Sequence, residues 1–492
     1  MLTIPKEQIL LRMQAENVWW LRPHLTSEVF RKFRRRAYFE VLFPLVSDPK
    51  VRRAVLLMGP RRVGKTVLMF HCIQELLEGG INPRNIAYLA VDHPIYNGCS
   101  LENFLGYCSE ASGADYRTEV SYLFLDEIQY LREWEVHLKV LVDTYPNLRI
   151  LASGSAAAAL RIKSRESGAG RFTDFLLPPL TFYEYLDLLG KTDLIGWTDD
   201  QSAIFPAFAP DIEALNGAFV HYLNFGGYPE VIFSEAIQAD PGRFIKSDII
   251  DKVLLRDLPS LYGIQDIQEL NYLFTTLAFN TAGEVSLEGL AKNAGVSKNT
   301  IKRYIEYLEA AFLIKTIHRI DRTGKRFQRA NFFKVYLTNP SIRTALFSPL
   351  DQNDETMGSL AETGIFSQWF HYRGALSYAR WDKGEVDLVY VQGDRKIAWA
   401  VEVKWSDRYV THPGELKSVI RFASDNRMGG AAVTTRSLLA TRNEQGVTIT
   451  FIPTALYCYA VGFNLIKAKG QQYTASPTEI VAETPDAAKK NA

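Results

Sequence analysis

The chain has 492 residues, 47% of them apolar and 23% charged, with a net charge of +1. That length suggests about three domains of roughly 150 residues each, and the composition excludes a wholly disordered chain. Near-zero charge supplies no global field for a polyanion, and no apolar run approaches the roughly 18–20 residues that span a bilayer.

The first stretch, MLTIPKEQILLRMQAENVWW, mixes charges with apolar residues and has no apolar core of a leader, so no signal peptide is expected. Trp19 and Trp20, after Asn17, are expected to anchor this segment on a core or on a neighbouring subunit. RKFRRR at 31–36 is a dense basic run. It reads as a solvated helix face, a phosphate-backbone contact or an inter-subunit contact. The four cysteines, Cys72, Cys99, Cys108 and Cys458, show no CxxC pair and no zinc spacing. They read as reduced, mostly buried thiols of a cytoplasmic protein.

AVLLMG at 54–59 is an apolar run ending at glycine, followed by TVLMFHCIQELLEGG. Val67, Phe70, Ile73 and Leu77 recur near helical spacing, and Gly79-Gly80 stops the helix. Strands are predicted at 85–92, at YLFLDE (122–127) and at RILAS (149–153). Strands alternating with helices imply a parallel sheet covered on both faces.

Between the first strand and helix, Gly59-Pro60-Arg61-Arg62-Val63-Gly64-Lys65-Thr66 matches GxxxxGK[ST], with Val67 next in the helix. The chemistry needs these types. Glycines let backbone N–H groups curl around phosphate oxygens, Lys65 reaches the β- and γ-phosphates, and the Thr66 hydroxyl ligates Mg²⁺. The helix N-terminus adds its dipole. YLFLDE then ends an apolar strand in Asp126-Glu127. Asp126 is expected to hold the metal through water or Thr66, and Glu127 to polarise the attacking water. ATP and Mg²⁺ are the expected ligands. Ser153, at the end of the next strand, reads either as a γ-phosphate sensor or as a helix cap, with Ser155 just beyond. Arg171, in SRESGAGRFTDF, reads as an arginine finger acting on a neighbouring subunit or as a surface arginine. Arg161 and Arg165 compete for that role.

GPRRVGKT, YLFLDEIQY, ILASGSA, GAGRF, PLTFYEYL, the GGYPE turn and the Arg256-Asp257 pair together resemble a widespread bacterial and archaeal ATPase family. Its members join an AAA-type ATPase domain to a C-terminal domain of unknown function. The likeness runs from roughly residue 40 to residue 460 and implies ATPase activity. The sequence departs from the family at Asn339, where an Asp is common.

After about residue 175 the pattern becomes helical, in PPLTFYEYLDLL and at 213–225 and 243–256. VSLEGLAKNAGVSKNTIKRYIEYLEAAFLIK at 285–315 reads as two short helices joined by AGVS, then a helix and a strand. Gly295 makes the turn, Val296 is the expected buried hinge, and Ile301 and Leu308 face the core. This is similar to the winged helix of transcription regulators. Lys298, Asn299, Lys302 and Arg303 would occupy the exposed face of the second helix. They are expected to contact DNA phosphates, the alternative being a winged helix used for domain packing.

From 331 the chain is strand-rich. GEVDLVYVQGDRKIAWAVEVKW reads as a hairpin with strands at 386–392 and 396–405 and a turn at Gly393-Asp394. Glu402 and Lys404 share one face, Val401 and Val403 the other, and Asp387 meets Glu402 across the hairpin. Glu362, in MGSLAETGIFSQWF, adds a third carboxylate, and Lys417 is an auxiliary. Hard oxygen ligands with a lysine suit metal-assisted phosphodiester chemistry. The pattern resembles the PD-(D/E)XK nuclease superfamily, which implies a site of Glu362, Asp387, Glu402 and Lys404. The alternatives are an inert binding fold without cleavage and an exposed hairpin salt bridge.

The expected fold class is therefore α/β, in six stretches. Residues 1–40 form an N-terminal segment and 41–180 a P-loop, parallel-sheet, AAA-type ATPase core. Residues 181–265 are helical, 266–330 form a winged helix, 331–468 a restriction-endonuclease-like α/β domain, and 469–492 a disordered tail. The expected function is an ATPase whose nucleotide state controls a DNA-handling C-terminal half. The alternatives are an ATP-dependent DNA nuclease, as in genome defence, and a non-catalytic regulator or scaffold switched by ATP. The expected partners are ATP, DNA and further copies of the chain, with no membrane.

Overall fold

The computed structural model describes residues 5–22, 28–48, 50, 52–154, 170–198, 205–325, 331–372, 374–392 and 396–467. Ser155, Arg161, Arg165, the Gly393-Asp394 turn and the tail from 469 lie outside the described residues. The chain divides into two compact units, Met1–Leu177 and Pro178–Ala492. Among the described residues no helix is long and apolar enough to cross a membrane.

In the first unit, β1 (Ala54–Met58), β2 (Ile86–Ala90), β3 (Ser121–Asp126), β4 (Leu148–Gly154) and β5 (Phe172–Leu176) form one sheet in the order β2-β3-β4-β1-β5. Every pairing is parallel. Parallel neighbours need crossovers, and helices on both faces turn the strands into apolar runs without alternation. β1, β3 and β4 are accordingly buried at every position.

The helix Lys65–Glu78 leaves β1 through the glycine loop. Of the apolar stripe expected on it, only Ile73 is fully buried. Leu68, Met69, Cys72 and Leu76 complete the buried face. Phe70 turns instead to stack on Phe30, with ring centroids 4.2 Å apart, and to meet Tyr88 at 4.6 Å.

β2 is an edge strand, and the N-terminal segment covers it. Asn17 brackets Tyr88, its Nδ2 donating to the carbonyl at 2.9 Å and its Oδ1 accepting from the amide at 2.6 Å. Trp19 and Trp20 both donate from Nε1 to the Ile86 carbonyl, at 2.9 and 2.7 Å. Side chains thus satisfy backbone groups that would otherwise stand open at a sheet edge. The tryptophans anchor on the chain's own core.

The second unit opens with the helix Phe182–Leu188, started by a capping box between Thr181 and Glu184. A short hairpin, β6 (Gly196–Trp197) and β7 (Ala207–Phe208), follows. Nine strands then build one sheet: β8 (Glu284–Ser286), β9 (Ile314–Ile320), β10 (Phe332–Leu337), β11 (Leu376–Trp381), β12 (Gly384–Val391), β13 (Ile397–Glu402), β14 (Gly430–Thr435), β15 (Ala440–Glu444) and β16 (Val447–Pro453). Their order is β15-β16-β14-β13-β12-β11-β9-β10-β8. The division expected at 330/331 falls between β9 and β10, which are hydrogen-bonded antiparallel neighbours.

In the 285–315 segment the helices are Leu287–Ala294 and Lys298–Ala310, and β9 follows directly. The second helix runs unbroken where a short helix and a further one were expected. Its buried positions Ile301, Ile305 and Leu308 sustain one apolar face throughout. Gly295 takes the left-handed conformation expected of the turn, at φ 70°. Val296 is only partly buried, so Ile301 rather than Val296 is the fully covered residue beside the turn.

At the GGYPE turn, a Cβ on Gly227 would lie 1.8 Å from the Asn339 side chain, so the close approach requires glycine. Asn339 accepts there from the amide and hydroxyl of Ser341.

Candidate functional site

The loop between β1 and the helix Lys65–Glu78 is set by its glycines. A Cβ on Gly59 would fall 2.2 Å from the Leu177 carbonyl oxygen. Gly64 caps the helix in the left-handed region, at φ 91°. Arg62 is left-handed as well, at φ 63°. Pro60 and Val63 are buried, Arg62 is exposed, and Arg61, Thr66 and Val67 are half-buried. Lys65 turns back over the loop and donates from Nζ to the carbonyls of Gly59 at 3.1 Å and Pro60 at 2.8 Å. Burial pulls its ammonium below the ordinary lysine value, Glu127 and Asp126 pull it back up, and Arg61 adds to the lowering.

Asp126 ends β3 and is buried. Its Oδ2 accepts from Thr66 Oγ1 at 2.7 Å and from Tyr88 Oη at 3.0 Å. Burial and the Asp126 charge push the Tyr88 hydroxyl well above its ordinary value, which keeps it a donor. Ser153 donates to Asp126 Oδ1 and accepts from the Glu127 amide at 3.3 Å. Ser153 thus lies inside β4 bonded to the acidic pair. Glu127 bends out of the strand at φ 56°, and Gln129 donates to its Oε2.

The residues present suit a magnesium-bound triphosphate. A hydroxyl and a carboxylate at bonding distance are the oxygen donors that a hard cation takes. Lys65 and the helix N-terminus supply the positive side for phosphate oxygens.

In the second unit, Leu388 pairs with Val401, which brings Asp387 next to Glu402 across β12 and β13. Lys404, beyond the end of β13, donates to Glu402 Oε1 at 2.7 Å. Asp387 Oδ2 accepts from the Val403 amide at 2.9 Å. Glu362 joins them from the helix Met357–Gln368, but through an ion that the sequence reading missed. Lys334 Nζ lies 2.9 Å from Glu362, 2.6 Å from Glu385 and 3.1 Å from Asp387. Burial and repulsion from Asp387 push Glu362 up to about 7. Burial and Asp387 push Glu402 up to about 8. Among the described residues no group of three or more His, Cys, Asp or Glu side chains is arranged to hold a metal ion. Lys417 stays exposed.

Lys298, Asn299, Lys302 and Arg303 are all exposed on the helix Lys298–Ala310. Lys298 lies 3.3 Å from Glu288, and Lys302 lies 3.9 Å from Glu306. Exposed pairs of this kind are weak and leave the face available.

Residues 51–186 match the AAA domain family. That match supports an AAA-type P-loop ATPase domain over this stretch. Residues 216–355 match a domain of unknown function (DUF8612), a match that ends before Glu362. The chain is similar to an uncharacterised protein of Haemophilus influenzae, 24% identical over 69% of this chain and 80% of the relative. It is also similar to one of Methanocaldococcus jannaschii, 27% identical over 68% of this chain and 72% of the relative. A solved Walker-type ATPase of Pyrococcus abyssi aligns with 66% of this chain and 97% of its own, at 15% identity and a TM-score of 0.35. DnaA from Aquifex aeolicus aligns with 59% and 90%, at 14% identity and 0.24. Scores of that size carry no argument about this chain.

Within the matched stretch, Arg171 precedes β5 and its carbonyl accepts from the Ala54 amide at 2.9 Å, at the start of β1. The glycine loop leaves the other end of β1, about 13 Å away at 3.3 Å per residue. Arg171 Nε pairs with Asp143 at 2.8 Å. The structure therefore does not bring Arg171 to its own domain's loop.

The basic run divides the same way. Arg35 pairs with Glu75 at 2.5 Å on the surface, whereas Arg36 is buried and donates from Nη1 to the Val63 carbonyl at 2.8 Å. Arg36, Tyr88 and Gln129 are thus contacts of the nucleotide loop or its acidic pair that sequence reasoning missed. For Tyr88 and Gln129 no local signal exists. A lysine inside the apolar run FFKVYL was a signal for Lys334, because lysine is almost never fully buried unpaired.

Proposed function

We propose that this protein hydrolyses ATP with Mg²⁺ at its AAA domain and uses the nucleotide state to control a DNA-handling second unit. The observation that carries the hydrolytic part is the 2.7 Å bond from Thr66 to Asp126, which joins the glycine loop to the acidic end of β3. In this reading Gly59–Thr66 binds the phosphates, and Lys65 leaves its carbonyl partners for the β- and γ-phosphate oxygens. Thr66 and Asp126 hold the cation, which would screen the charge of the transferred group. Glu127 orients water, with Gln129 setting its carboxylate. Ser153 is a positioning residue for Asp126. Arg171, too far from its own loop, acts as a finger only on a neighbouring copy.

The DNA part is supported by the exposed set Lys298, Asn299, Lys302 and Arg303 on a helix that follows a tight glycine turn, in the manner of a winged helix. Contacts of this kind go to phosphates, so binding should weaken steeply with salt. The metal-dependent nuclease reading has less support, because an ammonium group already lies among Glu362, Glu385 and Asp387.

The test is the ATPase rate with and without duplex DNA, with a cleavage gel in parallel. Stimulation by intact DNA, lost in Lys298→Ala/Lys302→Ala, supports the reading. A rate indifferent to DNA, with no mobility shift at low salt, would leave an ATP-switched scaffold.

A further inference from the structure

We propose that Lys334 is the resident cation of the carboxylate cluster in the second unit, seated where a nuclease-like fold would hold a divalent metal. Three observations carry this. First, its ammonium group donates hydrogen bonds to Glu362 and Asp387 and pairs with Glu385 at 2.6 Å, so three carboxylates neutralise it at once. Second, the side chain is only 3% exposed, so its charge is compensated from inside the protein and not by water. Third, two of the carboxylates have a further donor, on the same oxygen of Glu362 and on the other oxygen of Asp387. Tyr336 donates to Glu362 Oε1 at 2.6 Å, and the Val403 amide donates to Asp387 Oδ2 at 2.9 Å.

The strand explains the placement. Lys334 and Tyr336 are two apart on β10, so both side chains leave the same face and reach Glu362 together. A divalent ion needs several oxygens at roughly 2.0–2.6 Å. Here those oxygens surround a nitrogen that is tethered to the backbone, and a second cation among them would meet a like charge at contact distance. Glu402 Oε2 is buried without a hydrogen-bond partner, so one carboxylate oxygen of the cluster remains open. Removing the ammonium would leave Glu362, Glu385 and Asp387 facing the space that it now fills.

The inference does not depend on the nucleotide site. The probe is Mn²⁺ alone, titrated by its electron paramagnetic signal into nucleotide-free full-length protein. Wild type, Asp387→Asn, Lys334→Met and Lys334→Met/Asp387→Asn are compared. Wild type and Asp387→Asn should bind equal amounts of Mn²⁺. Lys334→Met should gain one ion per chain, and the double variant should lose it again. A wild-type site that disappears in Asp387→Asn would overturn the proposal. So would a folded Lys334→Met protein that gains no ion. Should Lys334→Met fail to fold, the wild-type and Asp387→Asn pair decides alone, since a metal seat free of Lys334 must show there.

Discussion

Arg36 reaches out of a basic run to the nucleotide loop, where its guanidinium donates to the Val63 carbonyl at 2.8 Å with the side chain buried. Removing it strands a carbonyl at the turn that aims the loop's amides. A buried acceptor left unpaired costs about 1–3 kcal/mol. If half of that reaches the binding step, Arg36→Met should weaken ATP affinity about two- to tenfold, since about 1.4 kcal/mol is a decade. Titration with a fluorescent ATP analogue measures it, and wild-type affinity would count against this role.

Glu127→Gln should bind ATP as wild type does and hydrolyse it at least about 100-fold more slowly, the usual scale for a lost general base. Single-turnover hydrolysis separates the two steps. A rate near wild type would assign the water-orienting role elsewhere.

Asn17→Ala should destabilise the first unit, because both its hydrogen bonds to Tyr88 satisfy an edge strand. We expect a loss of about 2 kcal/mol, or roughly 4–8 °C in melting temperature for a unit of this size. Thermal melting followed by circular dichroism tests it.

Glu16 carries a pH signature. Burial pushes its carboxyl above the ordinary value, against hydrogen bonds from Tyr96 and Arg12. As pH rises, the unfolded chain releases that proton first, so the native state holds more protons and loses stability above the ordinary glutamate range. Glu16→Gln should flatten this fall. Urea unfolding from about pH 4 to about pH 7 compares the slopes, and identical slopes would reject the assignment.

The glycine loop and the acid pair were legible because local chemistry dictates residue type there. Gly64 must be left-handed, and Asp126 must end an apolar strand. The basic run was not legible, since nothing local says that Arg35 stays on the surface while Arg36 turns inward. Lys334 needed the partners brought by β12 and by the helix Met357–Gln368, all distant in sequence. The strands flanking 330/331 looked like a boundary because a polar stretch divides them, yet β9 and β10 pair across it. The sequence setting of Arg171 suited a finger on a neighbouring subunit or a surface arginine, and its place before β5, beside the start of β1, removes only a role at its own loop.

The central claim is that the glycine loop and the end of β3 act on one metal-bound triphosphate. A double-mutant cycle on the Mg²⁺-dependent gain in ATP affinity tests it, using wild type, Thr66→Ala, Asp126→Asn and the pair. Residues that share one ion are not additive. Each single variant should therefore lose most of the magnesium gain, and the double variant little more. Losses that simply add, or a gain that survives in Asp126→Asn, would contradict the account.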